Sequence, residues 1–260
     1  MESGVNTFRR DQGMMEAMSS DLIPRLWGKS PAGRRGPKPA LSAAQIVEAA
    51  YVIADDQGLA AVSMARVAEE VGCSPMALYR HVKNKDELLI LLADRISAEL
   101  TPPPRDLGWR EGLAAWMRAQ VDLALSKPWF LDLPLGSALP GPRRLAWLDL
   151  GFYYLRDVTL PADEKLAILG IVSQYALGEA RIEVDAARQP ENPYEAFEQT
   201  LVTYADPERF PNLMGVMAGW EPSPPGGELE SDDASAFGQS LLMAGIAAHI
   251  ERHLSSGDSK

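Results

Sequence analysis

Val71-Gly72-Cys73-Ser74-Pro75-Met76-Ala77-Leu78-Tyr79-Arg80-His81-Val82-Lys83-Asn84-Lys85-Asp86-Glu87-Leu88-Leu89 is the stretch whose reading decides the fold. Gly72 stands where a left-handed residue stops one helix and turns the chain. Ser74-Pro75 then supplies a capping hydroxyl with proline at the first helical position, so a new helix starts almost at once. Leu78 and Val82 share its inner face, which leaves Met76, Ala77, Arg80 and His81 pointing elsewhere. Asn84-Lys85-Asp86-Glu87 restarts a helix with a capping box and an acidic first turn.

Upstream, Ser42-Ala43-Ala44-Gln45 is another capping box, followed by Ile46, Ala50, Ile53 and Ala54 on one helical face. Gly58 is placed to end that helix, and Ser63 caps a shorter one with Met64, Val67, Ala68 and Val71 inward. A helix of about two turns, a tight glycine turn and a second short helix make the sequence shape of helix-turn-helix. Downstream, Leu88 to Ala93 is apolar all the way round, so the helix from Glu87 to Leu100 must be covered on several sides, as a connecting rod would be. Thr101-Pro102-Pro103-Pro104 ends it and is the clearest boundary in the chain. Residues 28–39 are dense in Gly, Pro and basic residues and cannot be helical. They read either as a solvated leader or as a basic arm carrying Arg34, Arg35 and Lys38 along a phosphate backbone. Three parts are therefore expected: a flexible extension with the arm over 1–38, a DNA-binding module with its connecting helix over 39–100, and a larger helical body over 101–260.

Charge supports this division. The 260-residue chain carries a net charge of -11, yet Arg34 to Lys85 holds seven Lys/Arg against five Asp/Glu. The remainder is strongly acidic, as expected for a body that does not touch a polyanion attached to a module that does. An apolar fraction of 46% suits a buried core, and no run of about 18 apolar residues predicts a membrane span. Arg9 and Arg10 are not followed by the apolar stretch of a secretory signal. The single cysteine, Cys73, closes no intrachain disulfide and lacks the partners of a structural zinc site, so a cytoplasmic setting is expected.

Beyond the prolines the pattern is helical throughout. Trp109, Leu113, Trp116, Met117, Val121 and Ala124 form one apolar face; Leu145, Leu148, Phe152 and Leu155 form another. Pro161 opens a long helix through Arg188, and Ala234 to Leu254 forms the last; residues 221–227 and the acidic run Glu228 to Asp233 read as an exposed loop. Gly170, Ala176, Gly178 and Ala180, with Ala244, Gly245, Ala247 and Ala248, are small residues that allow close helix approach. Trp109, Trp116, Met117, Leu135, Trp147, Tyr153, Tyr154, Gln174 and Tyr175 are candidates to line a pocket for a small apolar or aromatic molecule, although an aromatic face at helical spacing also reads as plain core. His249 and His253 share a helix face, but Glu251 is one position late for a zinc-protease helix and no third ligand is evident. An amphipathic terminal helix explains them better. No nucleophile elbow, phosphate-cradling glycine loop or dinucleotide fingerprint occurs, so no catalytic residue, metal or cofactor is expected.

Residues 41–92, above all Leu78-Tyr79-x-His81-Val82-Lys83-Asn84-Lys85, resemble the DNA-binding domain of the tetracycline-repressor (TetR) family. Trp109–Ser126, Pro161–Arg188 and Phe237–Leu254 are similar in length and order to helices of that family's regulatory domain. The resemblance implies an all-α fold: a three-helix helix-turn-helix domain joined by a connecting helix to a helical ligand-binding and dimerisation domain. It implies that Ser74, Pro75, Met76, Ala77 and Arg80 face base edges or the groove wall, with Tyr79, His81, Lys83 and Lys85 positioning the helix. Arg80 suits guanine, whose O6 and N7 a guanidinium can bridge. Ser63 and Arg66 join the interface from the preceding helix, although Ala65 stands where the tetracycline repressor has a base-reading arginine, so its operator does not carry over. Pro134-Leu135-Gly136-Ser137 replaces that repressor's metal-chelating histidine stretch, and no magnesium–tetracycline chelate is expected. The two helices with small residues would form a four-helix bundle across a twofold axis. The expected protein is a homodimeric regulator on a near-palindromic duplex operator, most simply a repressor released by a small effector. The alternatives are an effector-independent DNA-binding protein and a helical enzyme.

Overall fold

Each turn between residues 42 and 97 is set by a local signal. The Ser42 hydroxyl accepts the Gln45 N–H, and Gln45 Oε1 accepts the Ser42 N–H at 2.9 Å, so the expected capping box closes in both directions and opens helix α1 (Ala43–Gln57). Gly58, at φ 80°, ends α1, and a 3₁₀ turn over Leu59–Ala61 leads to α2 (Met64–Glu70). Gly72 has φ 69°, and a Cβ there would meet no atom within 4 Å. Glycine is thus required by the backbone turn and not by crowding. Helix α3 (Pro75–Tyr79) starts on the Ser74 cap, and α4 (Lys85–Ile96) on Asn84.

In the computed structural model the described residues are 22–24, 26–27, 41–135, 140–188, 193–219 and 231–257. Among them the fold is all-α, without a strand: α5 (Trp109–Ser126), α6 (Pro142–Tyr154), α7 (Ala162–Ala187), α8 (Pro193–Tyr204), α9 (Pro211–Met217) and α10 (Ser231–Gly257) follow the first four helices. They group into two compact units. One takes the described residues up to Arg105 together with 126–153; the other takes 106–125 and 154 onward.

In the first unit Ile46, Ala50, Val62, Val67, Leu78, Val82, Leu88, Leu92 and Ile96 are fully buried, which seats α1 to α4 on one core. The connecting helix is covered nearly all round, as its apolar wrapping predicts, and it buries Glu87 and Asp94 with the hydrophobics. In the second unit Leu113, Trp116 and Met117 of α5 are buried, and Gly112 lies under the ring of Tyr154 so closely that any Cβ would collide with it.

Three details differ from the sequence reading. Ser231, Asp232 and Asp233, the end of the acidic run, belong to α10 instead of a loop; carboxylates are favoured at a helix N-terminus. Helices α8 and α9 occupy a region for which the sequence reading named no element. Leu22 and Leu26 are helical and buried, so this part of the extension, expected to be flexible, is packed.

Candidate functional site

Helix α3 owes its exposed face to the two residues beneath it. Leu78 and Val82 are fully buried, which turns Met76 (72% exposed), Tyr79 (46%) and Arg80 outward. The Ser74 hydroxyl accepts the Ala77 N–H, so this serine is a cap first. Ser63 does the same for Arg66 on α2. Arg66 lies against Glu69 at 2.9 Å and Glu70 at 3.8 Å, on its own helix. The Glu69 hydrogen bond and the nearby carboxylates raise its pKa, which ties its charge into α2. Ala77 and His81 are half-buried, while Pro75, Lys83 and Lys85 are exposed. Arg34, Arg35 and Lys38 lie outside the described residues. At the start of α4, Asn84 Oδ1 accepts the Glu87 N–H at 2.8 Å, and Glu87 Oε2 accepts the Lys83 N–H at 2.9 Å. The second capping box is therefore shifted: the glutamate satisfies the residue before the cap.

Behind the module a set of polar contacts fixes α1 and α4. Arg95 holds Glu48 of α1 through Nε at 2.7 Å and Nη2 at 3.1 Å, binds Glu99 through Nη1 at 2.7 Å, and lies 4.3 Å over the Tyr51 ring. Lys127 Nζ reaches Asp55 at 2.7 Å, and the Trp129 indole N–H donates to the same carboxylate at 3.2 Å. These partners hold Glu48 and Asp55 below the ordinary carboxylate range, each chiefly by the hydrogen bond from its cation. Asp94 Oδ1 accepts the N–H groups of Arg143 and Arg144 at 3.0 and 3.1 Å, so the connecting helix caps the N-terminus of α6. The carboxylate leaves no room for a side chain at Gly141, where a Cβ would collide with it. Sequence reading missed Asp94; its one visible trace is an acid within an otherwise apolar run.

The pocket candidates divide. Trp116, Met117 and Tyr154 are buried core of the second unit, where Trp109 is half-buried, Gln174 is exposed and Tyr175 lines an open groove between α7 and α10. Leu135, Trp147 and Tyr153 belong to the first unit, with the Arg105 guanidinium 4.7 Å over the Tyr153 ring. The groove is lined by Ile168, Ile171, Leu241, Leu242, Ile246 and Glu164 among others. Near it, Glu164 Oε2 accepts from His249 Nε2 at 2.7 Å and lies 3.1 Å from His253 Nε2. The third group that the sequence did not reveal for these histidines is Glu164, 85 residues away in the chain.

A short exposed helix set by a glycine turn, over a core of capped helices, makes this a helix-turn-helix protein. Residues 46–92 match the family model described as bacterial regulatory proteins, tetR family, and residues 101–250 match the tetracyclin repressor-like C-terminal domain. The HTH-type transcriptional repressor DrrR1 of Streptomyces coeruleorubidus is 36% identical over 193 residues, covering 70% of this chain and 71% of that protein. The crystal structure of apo ActR from Streptomyces coelicolor superposes with a TM-score of 0.67 at 26% identity, over 84% of this chain and 100% of that one. ActR in complex with actinorhodin gives 0.66 at 27% identity, over 82% and 98%. The chain belongs to the TetR family of DNA-binding transcriptional regulators, and is not an enzyme. No helix among the described residues is long and apolar enough to cross a membrane.

Proposed function

We propose that the chain is a homodimeric repressor that binds a near-palindromic operator and is released by a small apolar or aromatic effector. The observation that carries this reading is the outer face of α3: Met76, Tyr79 and Arg80 stand exposed on a helix whose inner face is fully buried. Arg80 reads a base, Met76 and Ala77 meet the groove, and Ser74 and Pro75 fix the start of the helix. Tyr79, His81, Lys83 and Lys85 position it on phosphates, aided by Ser63 and Arg66 of α2 and by the arm of Arg34, Arg35 and Lys38. The division of labour follows: an arm within 1–38, the reading module over 39–100 and the regulatory body over 101–260. Such a regulator works in the cytoplasm, beside its operator.

Dimerisation is supported by a face of the second unit. Leu166, Ile171 and Ile182 on α7 and Phe237, Leu241 and Leu254 on α10 are at least half exposed, and a Cβ at Gly170, Gly178 or Gly245 would meet nothing. Glycines left open within one chain suit the close approach of a second copy, whereas Ala176, Ala180 and Ala247 are spent on packing within the chain. One module alone binds weakly; two copies about one helical turn (~34–36 Å) or its multiples apart supply specificity.

The complex of ActR with actinorhodin supports a small-molecule effector for this chain, and we place its pocket in the regulatory body. Trp109, Trp116, Met117, Leu135, Trp147, Tyr153, Tyr154, Gln174 and Tyr175 remain the candidates, the exposed and half-buried ones ahead of the core residues. The chain runs from α5 into Lys127 and Trp129, which hold Asp55 of α1, and this covalent continuity is the route we propose for the effector's signal. A coupling of ~1–3 kcal/mol would weaken operator binding roughly 5- to 150-fold. The test is release of the dimer from its selected operator, followed by fluorescence anisotropy, with actinorhodin and other aromatic compounds. Dose-dependent release is expected. Indifference to every compound offered would favour an effector-independent DNA-binding protein.

A further inference from the structure

We propose that Glu164, His249 and His253 form a binding site for a divalent transition metal, with zinc as the natural occupant. Glu164 is in the first turn of α7, and the two histidines are one turn apart on α10, so both rings face the same point. Both present Nε2 to a single carboxylate oxygen, at 2.7 and 3.1 Å, with the rings edge to face at 4.9 Å between centroids. The three donor atoms all lie within 4.8 Å of one another. Bonds of about 2.1 Å in a tetrahedral zinc site set neighbouring donors about 3.4 Å apart, so every pair is already within about 1.5 Å of its place.

Two imidazoles and a carboxylate are the donor set of open zinc sites, which keep water in the fourth position. Each side chain is about a third exposed (37%, 37% and 31%), so an ion reaches the donors without opening the core. Glu164 and His249 also line the apolar groove between α7 and α10. An ion here would clasp the start of α7 to the end of α10 and hold the face proposed for dimerisation in one geometry. The site owes nothing to effector chemistry, and it stands or falls apart from the DNA-binding reading.

The test uses the full chain without a polyhistidine tag, stripped with EDTA and titrated with Zn²⁺ by calorimetry and with Co²⁺ by visible absorption. One ion per chain is expected, with the d–d bands of four-coordinate Co²⁺ and a rise in Tm when Zn²⁺ is added. His249→Gln and His253→Gln should each weaken Zn²⁺ binding by more than the roughly 10–100-fold that follows loss of an outer partner. Glu164→Gln, which keeps the size of the side chain, should weaken it too, while Cys73→Ser and Glu251→Gln should not. Circular dichroism reports whether each variant is folded. Absence of Co²⁺ bands, or Zn²⁺ affinity unchanged in folded His249→Gln and His253→Gln, would overturn the site and leave a carboxylate that merely accepts hydrogen bonds from two imidazoles.

Discussion

Arg80 closes α3 in a helical conformation (φ -70°, ψ -23°) with its side chain exposed, next to a residue that is half-buried. That position aims a guanidinium away from the core while its backbone stays fixed by the helix. Arg80→Ala should therefore erase about 1–3 kcal/mol of discrimination between the selected operator and a scrambled duplex, with the oligomeric state unchanged. Competition binding of the two duplexes checks this, and retained preference removes Arg80 from the reading role. At this scale the sequence was informative because caps and glycine turns act over three or four residues: Ser42, Gly58, Ser63, Gly72 and Ser74 do what their spacing predicts, and Asn84 caps α4 although its box closes on Lys83. Arg66 was less legible. Its pairing with Glu69 and Glu70 depends on rotamers, which spacing alone does not fix.

Among the elements, α4 carries most of the consequences. Asp94 is buried at 4% exposure and accepts two N–H groups from the start of α6. Asp94→Ala leaves those donors without the carboxylate and should cost about 0.5–2 kcal/mol, read as a drop in Tm of roughly 2–4 °C per kcal/mol. An unchanged Tm would mean that this cap contributes nothing. The ion pairs of Glu48 and Asp55 add a pH dependence. Both carboxyls have their pKa lowered in the fold, so their stabilisation is complete above the ordinary carboxylate range and is lost as pH falls through and below about 4. Thermal unfolding from pH 7 down to 3 should show Tm falling in that window, and the deficit of Asp55→Asn should shrink toward zero at the acid end. A deficit that stays constant with pH would contradict the ion-pair account. Helices α5 and α6 were legible from apolar spacing, and α7 from the proline that opens it. The contacts from Asp94 to Arg143 and from Asp55 to Lys127 were not, since they join residues 49 and 72 positions apart. Helix α8 escaped notice because its apolar residues do not mark a buried face: Phe197, Val202 and Tyr204 are exposed.

For the whole molecule the decisive feature is a face that one chain leaves uncovered. Leu241 and Ile171 are exposed at 64% and 50% on helices that also bury Ile168, Val172, Met243 and Ile246. Leu241→Glu should convert the proposed dimer to a monomer and lower operator affinity by orders of magnitude, while the first unit, to which Leu241 does not belong, keeps its helical signal. Sedimentation of the variant checks this, and a stable dimer would move the interface elsewhere. The sequence hinted at this face through small residues but could not say which of them pack within the chain. Ala176 and Ala247 are buried there, while Gly170 and Gly245 stay open.

The central claim is that two copies of α3 enter one duplex. Sedimentation equilibrium of the purified chain on DNA selected from its own genome at low salt tests this most directly. Two chains bound per near-palindromic duplex, with a scrambled duplex left free, is the predicted result. A strictly monomeric protein that binds all duplexes alike, or none, would contradict it.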